Sequence, residues 1–118
     1  MLYDPNNVFA KILRKELPCK KVYEDDYVLS FYTLEPKAPV HVLVIPKVEA
    51  VSFHEFCAGN DPEYIGNFFK SVRKTVDMLD LPNGYRIVAN TGKDSGQTVF
   101  HFHVHIIGGK ILGDEMPE

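Results

Sequence analysis

The sequence predicts an α+β domain, an antiparallel sheet of about five strands carrying two main helices. Three observations predict it. Short runs rich in β-branched and aromatic residues recur between turn signals, as the strands of a sheet do. Two longer runs repeat apolar residues at offsets of three and four, the period of a helix that covers a sheet. Near the C-terminus, Gly96-Gln97-Thr98-Val99-Phe100-His101-Phe102-His103-Val104-His105-Ile106-Ile107-Gly108-Gly109 places three of the five histidines at every second position, the period of a strand.

Asn6 and Asn7 are good N-cap residues, and Val8, Phe9, Ile12 and Leu13 follow at helical spacing until Leu17-Pro18 stops the pattern, so the first helix is expected over about 7 to 16. Val22-Tyr23-Glu24 and Tyr27 to Tyr32 read as two short strands around the turn Asp25-Asp26, with Val28, Leu29 and Phe31 as core or pocket residues. Lys37-Ala38-Pro39 turns the chain into Val40 to Ile45, a β-branched run ending at Pro46, as expected for a buried strand. Ser52-Phe53-His54-Glu55-Phe56 reads as a short exposed helix capped by Ser52, and His54 is assigned no chemistry.

Asp61-Pro62-Glu63 is a strong helix start. Ile65, Phe68, Phe69, Val72, Val76 and Leu79 then form one stripe, so the longest helix is expected over about 61 to 80, its stripe serving as core rather than a cofactor box. Leu81-Pro82-Asn83-Gly84 breaks it, and Tyr85 to Asn90 alternates as a strand. The loop from Asn90 to Thr98, with Asp94-Ser95-Gly96 turn chemistry, leads into the histidine strand. On that strand His101, His103 and His105 share one face, and Phe100, Phe102, Val104 and Ile106 share the other.

Composition bounds the answer. The 118 residues suit one domain, 1–118, and 45% hydrophobic with 25% charged residues is globular. A net charge of -3 leaves no electrostatic footprint for polymeric nucleic acid. Cys19 and Cys57 make no metal-type pair or disulfide framework, which suits a reducing compartment. With no signal-like N-terminus and no apolar run of spanning length, the expectation is a cytoplasmic protein that does not enter a membrane.

One histidine on a strand is usually a surface or satisfied core residue; three in register mark a site. Two chemistries fit them. The imidazoles can converge on zinc, or one can attack phosphorus while its neighbours orient it and hold the phosphate. His41, flanked by apolar residues, reads by itself as a satisfied core histidine. The loop before the histidines offers amide, hydroxyl and backbone N–H donors to an anion, yet it is not a P-loop, because no Lys-Ser/Thr follows at the required spacing.

His101-Phe102-His103-Val104-His105-Ile106-Ile107 resembles the signature of the histidine triad (HIT) superfamily of nucleotide hydrolases and transferases. Val8-Phe9-Ala10-Lys11-Ile12, Glu16-Leu17-Pro18, Tyr23-Glu24-Asp25-Asp26 and Pro36-Lys37-Ala38-Pro39-Val40-His41-Val42-Leu43-Val44-Ile45-Pro46-Lys47 extend the resemblance, to the Hint-like branch, over most of the chain. The resemblance implies cleavage of the P–N bond of a purine nucleoside 5′-phosphoramidate or an aminoacyl adenylate. His103 is then the nucleophile, oriented by the carbonyl of His101. His105 binds phosphate and helps protonate the leaving amine, and His41 is a fourth, supporting histidine.

The resemblance further places Asn90, Gly96, Gln97 and Thr98 on the phosphate, and Phe9, Ile12, Leu17, Phe31, Thr33 and Leu34 around base and ribose. It implies no cofactor, no metal and a homodimer that pairs the long helix and joins the sheets. Three departures stand out: the structural-zinc cysteines of some relatives are absent over Asn7 to Ala10, Thr98 replaces a more usual Ser, and Thr33 stands where an acidic residue usually accepts the ribose hydroxyls. A dinucleoside polyphosphate hydrolase leaning on Gln97, a non-catalytic nucleotide-binding module and a zinc cluster are the other readings. The tail from Lys110 to Glu118 follows no interpretable pattern.

Overall fold

The computed structural model describes residues 1–114; the end of the C-terminal tail, 115–118, lies outside the described residues. Its elements in chain order are α1 (Val8–Leu13), β1 (Lys21–Glu24), β2 (Val28–Tyr32), β3 (Val40–Pro46), α2 (Phe53–Gly59), α3 (Pro62–Asp77), β4 (Tyr85–Val88) and β5 (Val104–Gly108). The strands form one antiparallel sheet in the order β1-β2-β3-β5-β4. This is the α+β architecture expected, now with its strand order. No helix among the described residues is long and apolar enough to cross a membrane.

Strand alternation divides the core in two. Val28, Val42, Val44, Val104 and Ile106 pack with Phe56 of α2, Phe68 and Val72 of α3, and Phe102. Leu29, Phe31, Leu43 and Ile45 point the other way and pack with Phe9 of α1. The long helix therefore covers one face and the short first helix the other. His41 and His105, on the same parity as Leu43 and Ile107, fall on the α1 face.

α1 is shorter than predicted because Lys15 adopts a left-handed φ of 63°, which ends the helix after Arg14; the Lys15 N–H then bonds the Ile12 carbonyl. α3 starts as predicted, with Asp61 accepting from the Tyr64 N–H at 2.8 Å, and stops at Asp77, three residues early. Phe69 departs from the expected stripe: it is 40% exposed, while Ser71 and Thr75 are buried. Thr75 satisfies its hydroxyl on the Ser71 carbonyl (3.0 Å) and on Ser30 of β2 (2.6 Å), so polar side chains fit this interface. At α2, Ser52 is the N-cap residue as expected, but its hydroxyl bonds the Glu55 carboxylate rather than a backbone N–H.

The predicted histidine strand begins late. β5 pairs with β3 only from Val104 opposite Val44, and β3 ends at Pro46. Ahead of that point the Phe102 N–H bonds the Ala50 carbonyl at 2.8 Å, so residues 100–103 follow the segment after β3 instead of a ladder. The alternation survives: Phe102 is in the α3-side core, while the rings of His101 and His103 contact Phe9. Phe100, expected on the apolar face, is only half-buried and lies outside that core. At the other end, Gly109 has φ 90° with Pro39 Cβ only 3.0 Å from where its own Cβ would stand, so this position requires glycine, while a Cβ on Gly108 would press on the Leu81 side chain.

Asp25 ties the β1–β2 turn to α3. One carboxylate oxygen accepts the Tyr27 and Val28 N–H groups (2.8 and 3.0 Å), and the other accepts the Tyr23 and Ser71 hydroxyls (2.8 and 2.6 Å). Burial raises the Asp25 pKa, but these four donors outweigh it and hold it below the usual carboxylate value. A depressed folded pKa contributes stability above the unfolded value of about 3.9, and that stability disappears as pH falls through the folded value. Asp25→Asn keeps one acceptor and loses the charge. Urea unfolding at neutral pH should show it about 1–2 kcal/mol less stable than wild type, with the gap closing in acid. A gap that does not change with pH would remove the charge from the account.

Candidate active site

Four buried histidines gather on the α1 face, and their hydrogen bonds determine which nitrogen of each carries the proton. The Lys37 N–H donates to His41 Nδ1 at 3.0 Å. A neutral His41 then has its proton on Nε2, which donates to His105 Nδ1 at 2.9 Å. His105 in turn carries its proton on Nε2, and among the described residues this is the one buried side-chain nitrogen or oxygen lacking a hydrogen-bond partner. The Lys37 backbone amide can only donate, and so it fixes the tautomers of both rings.

The second pair follows the same logic. His103 Nδ1 lies 2.7 Å from the His101 carbonyl, so it donates, and Nε2 keeps its lone pair. His101 Nε2 donates to the Pro46 carbonyl at 3.0 Å, leaving Nδ1 to accept the Tyr3 hydroxyl at 2.6 Å. Burial pushes His101 down to about 4, with the Pro46 bond opposing and His103 adding to the depression. Burial, then His103 and His41, push His105 down to about 3. His103 is lowered by burial against its bond to the His101 carbonyl, and His41 by burial and the Lys37 charge. All four are neutral at physiological pH, as these tautomers require.

His41 and His105 meet because of register. Leu43 faces His105 and His41 faces Ile107, so the two histidines are diagonal neighbours on one face, with ring centroids 5.2 Å apart. His103 stands 5.0 Å from His105, and the Phe9 ring packs edge-on against it at 4.9 Å. Both nitrogens of His101 are engaged, so the three imidazoles do not converge on one point. Among the described residues no group of three His, Cys, Asp or Glu side chains is arranged to hold a metal ion.

His41, His103 and His105 line a cavity of about 380 Å³ between α1 and the sheet. Phe9, Ile12, Phe31, Thr33, Leu34 and Thr98 are also in its wall, together with Val8, Leu43, Lys20, Glu35 and Lys37, which the sequence did not single out. The size suits a small organic ligand, and the wall is apolar around α1 and polar at the histidines.

A protein-family model for the HIT domain matches residues 14–111. The chain belongs to the HIT domain family. It is 45% identical over 112 residues to an HIT-like protein of Rickettsia prowazekii, a match covering 94% of this chain and 93% of that protein. An HIT-like protein of Azospirillum brasilense is also 45% identical over 112 residues, covering 94% and 92% of the two chains. The solved structure of a HIT family hydrolase from Clostridium thermocellum superposes with a TM-score of 0.84 at 38% identity, over 95% of this chain and 97% of that one.

Several residues expected in this HIT domain's site stand outside the cavity wall. Leu17 lines a neighbouring depression with Leu13 and Leu29, whereas Pro18, Cys19 and Lys20 just after it line the cavity itself. Asn90 follows the end of β4 and is half-buried away from the wall. Gly96, at φ 85°, closes a single 3-10 turn over Lys93–Ser95. Gln97 is buried and spent on the loop: its amide donates to the Val51 and Val99 carbonyls, and its carbonyl accepts the Gly92 N–H. It shapes the loop that presents Thr98. Sequence reading missed Tyr3 altogether, since its partner lies 98 positions away and no periodic signal joins them.

Proposed function

We propose that this HIT domain hydrolyses the P–N bond of purine nucleoside 5′-phosphoramidates or aminoacyl adenylates through a covalent nucleotidyl-histidine. One observation carries the reading: a lone pair on His103 Nε2 and an unpartnered N–H on His105 Nε2 belong to neighbouring rings of one cavity wall. A nucleophile and a proton donor side by side are what displacement of an amine at phosphorus requires.

His103 Nε2 attacks phosphorus, and the P–N electron pair leaves with nitrogen, which takes a proton from a water molecule that the His105 Nε2–H holds by a hydrogen bond. The hydroxide left behind attacks the phosphorus and breaks the P–Nε2 bond to release the nucleoside monophosphate. Thr98 supplies a hydroxyl in the wall for a non-bridging oxygen, while Phe9, Ile12 and Phe31 offer flat apolar surface to the base. The resemblance adds Asn90, Gly96 and Gln97 around the phosphate, here as the loop behind Thr98. Adenosine 5′-phosphoramidate should be turned over to AMP at a rate unaffected by chelator and faster than a dinucleoside polyphosphate. The reverse preference would favour polyphosphate hydrolysis, and chelator-sensitive turnover a zinc centre.

Thr33 gives the reading a second test. Thr33 lies in the cavity wall, its hydroxyl accepting the Glu35 N–H at 3.4 Å, without the charge of the acidic residue usual there. Ribose discrimination is therefore weak in this chain, and Thr33→Asp should raise the preference for ribo- over deoxyribonucleotide substrates by about tenfold in kcat/KM, the difference between a charged and a neutral hydrogen bond. No gain on substitution would remove Thr33 from ribose recognition. A homodimer joined along β4 and α3 belongs to the same proposal, supported by the exposure of Tyr85, Ile87 and Phe69; a light-scattering mass of one chain would remove it.

A further inference from the structure

The N-terminal arm, residues 1–7, precedes the 14–111 span of the family model, yet it reaches the histidines. It is pinned at Asp4 and the residues that follow. The Asn6 N–H bonds the Asp4 carboxylate, the Asn7 amide donates to the Asp4 carbonyl, and Arg14 donates to the Pro5 carbonyl, each at 2.8 Å. Asn7 also caps α1 by accepting the Ala10 N–H at 2.9 Å. From this fixed arm Tyr3 delivers its hydroxyl to His101 Nδ1 at 2.6 Å and packs its ring edge-on against the imidazole, centroids 5.6 Å apart.

We propose that Tyr3 is a positioning residue for the nucleophile: by holding His101 at Nδ1, while the Pro46 carbonyl holds Nε2, it immobilises the residue whose own carbonyl orients His103. The inference rests on His103 being the nucleophile. The physical reason is that His101 is 1% exposed, so both its ring nitrogens need partners inside the protein. Without the Tyr3 hydroxyl, Nδ1 is a buried acceptor with nothing to accept. The ring relieves this by turning or by taking up a proton, and either change disturbs the carbonyl on which the His103 tautomer depends. The groups bearing on this pair are His103 beside His101, and Glu49, Arg14, Asp4 and Asn7 around Tyr3.

Tyr3→Phe keeps the ring contact and removes only the donor. Kinetics with adenosine 5′-phosphoramidate should show kcat reduced about tenfold, the rate equivalent of one hydrogen bond, with KM within about twofold. Nitrogen-15 NMR of the imidazoles in the substrate-free protein should find wild-type His101 and His103 each in a single neutral tautomer, protonated at Nε2 and Nδ1 respectively. In the variant His101 should titrate at higher pH and the His103 ring signals should move. Unchanged kcat, or a fall in kcat with His103 signals unmoved, overturns the proposal and leaves the arm as packing. Should wild type fail to turn over the phosphoramidate, the nucleophile reading fails instead. The spectra still decide whether Tyr3 governs the two tautomers.

Discussion

Replacing His103 with alanine should abolish turnover of adenosine 5′-phosphoramidate, by at least about 10⁴-fold, because the step that splits the reaction in two is lost with its nucleophile. The cavity wall otherwise survives. Phe9, Phe31, Thr98 and His105 still line it, so AMP should bind within about fivefold of wild type. Wild-type enzyme mixed rapidly with substrate should also form a nucleotidyl adduct on His103, visible by mass spectrometry and absent in the variant. An alanine variant retaining more than about a hundredth of the activity would displace His103 as the attacking group. If neither protein turns over but both bind AMP, the site is a nucleotide-binding module.

Phe102→Ala should cost about 3–5 kcal/mol in urea unfolding, the range for emptying a buried aromatic site. Phe102 is 1% exposed, stacks on Phe56 with centroids 4.7 Å apart, and touches Phe68 at 5.6 Å. Rings from α2 and α3 thus clamp the backbone between His101 and His103. The variant, assayed at a temperature where it remains folded, should lose kcat as well, since the same backbone sets the His101 carbonyl against His103 Nδ1. A loss below about 1.5 kcal/mol would mean that the surrounding rings collapse into the space, and would weaken the link between core and site.

Much of the fold was legible because short-range periodicity is a local property. The starts of α1, α2 and α3 follow from Asn7, Ser52 and Asp61, and the β3 strand from its run of branched residues. The errors sit where a distant partner overrides the local pattern. Phe69 has the correct spacing and still faces outward, while Ser71 and Thr75 are buried because Asp25 accepts the Ser71 hydroxyl and Thr75 donates to the Ser71 carbonyl and accepts from Ser30. Residues 100–103 alternate like a strand but lack a ladder, since β3 stops at Pro46 and Ala50 takes the Phe102 N–H. Leu17, Asn90, Gly96 and Gln97, which the resemblance puts around a ligand, are a separate matter: they are not among the residues lining the cavity, and no local pattern addresses that.

By itself the sequence determined the α+β class, the separation of the imidazoles from Phe102, Val104 and Ile106, and the family. Each of these is carried by residue identity at fixed spacing along one stretch. Which nitrogen of each histidine holds a proton is settled by folding. That choice depends on the Lys37 amide, the Pro46 and His101 carbonyls and the Tyr3 hydroxyl, groups brought together from separate parts of the chain. A proton on an imidazole goes where the nearest acceptor is, and that neighbour is a consequence of folding.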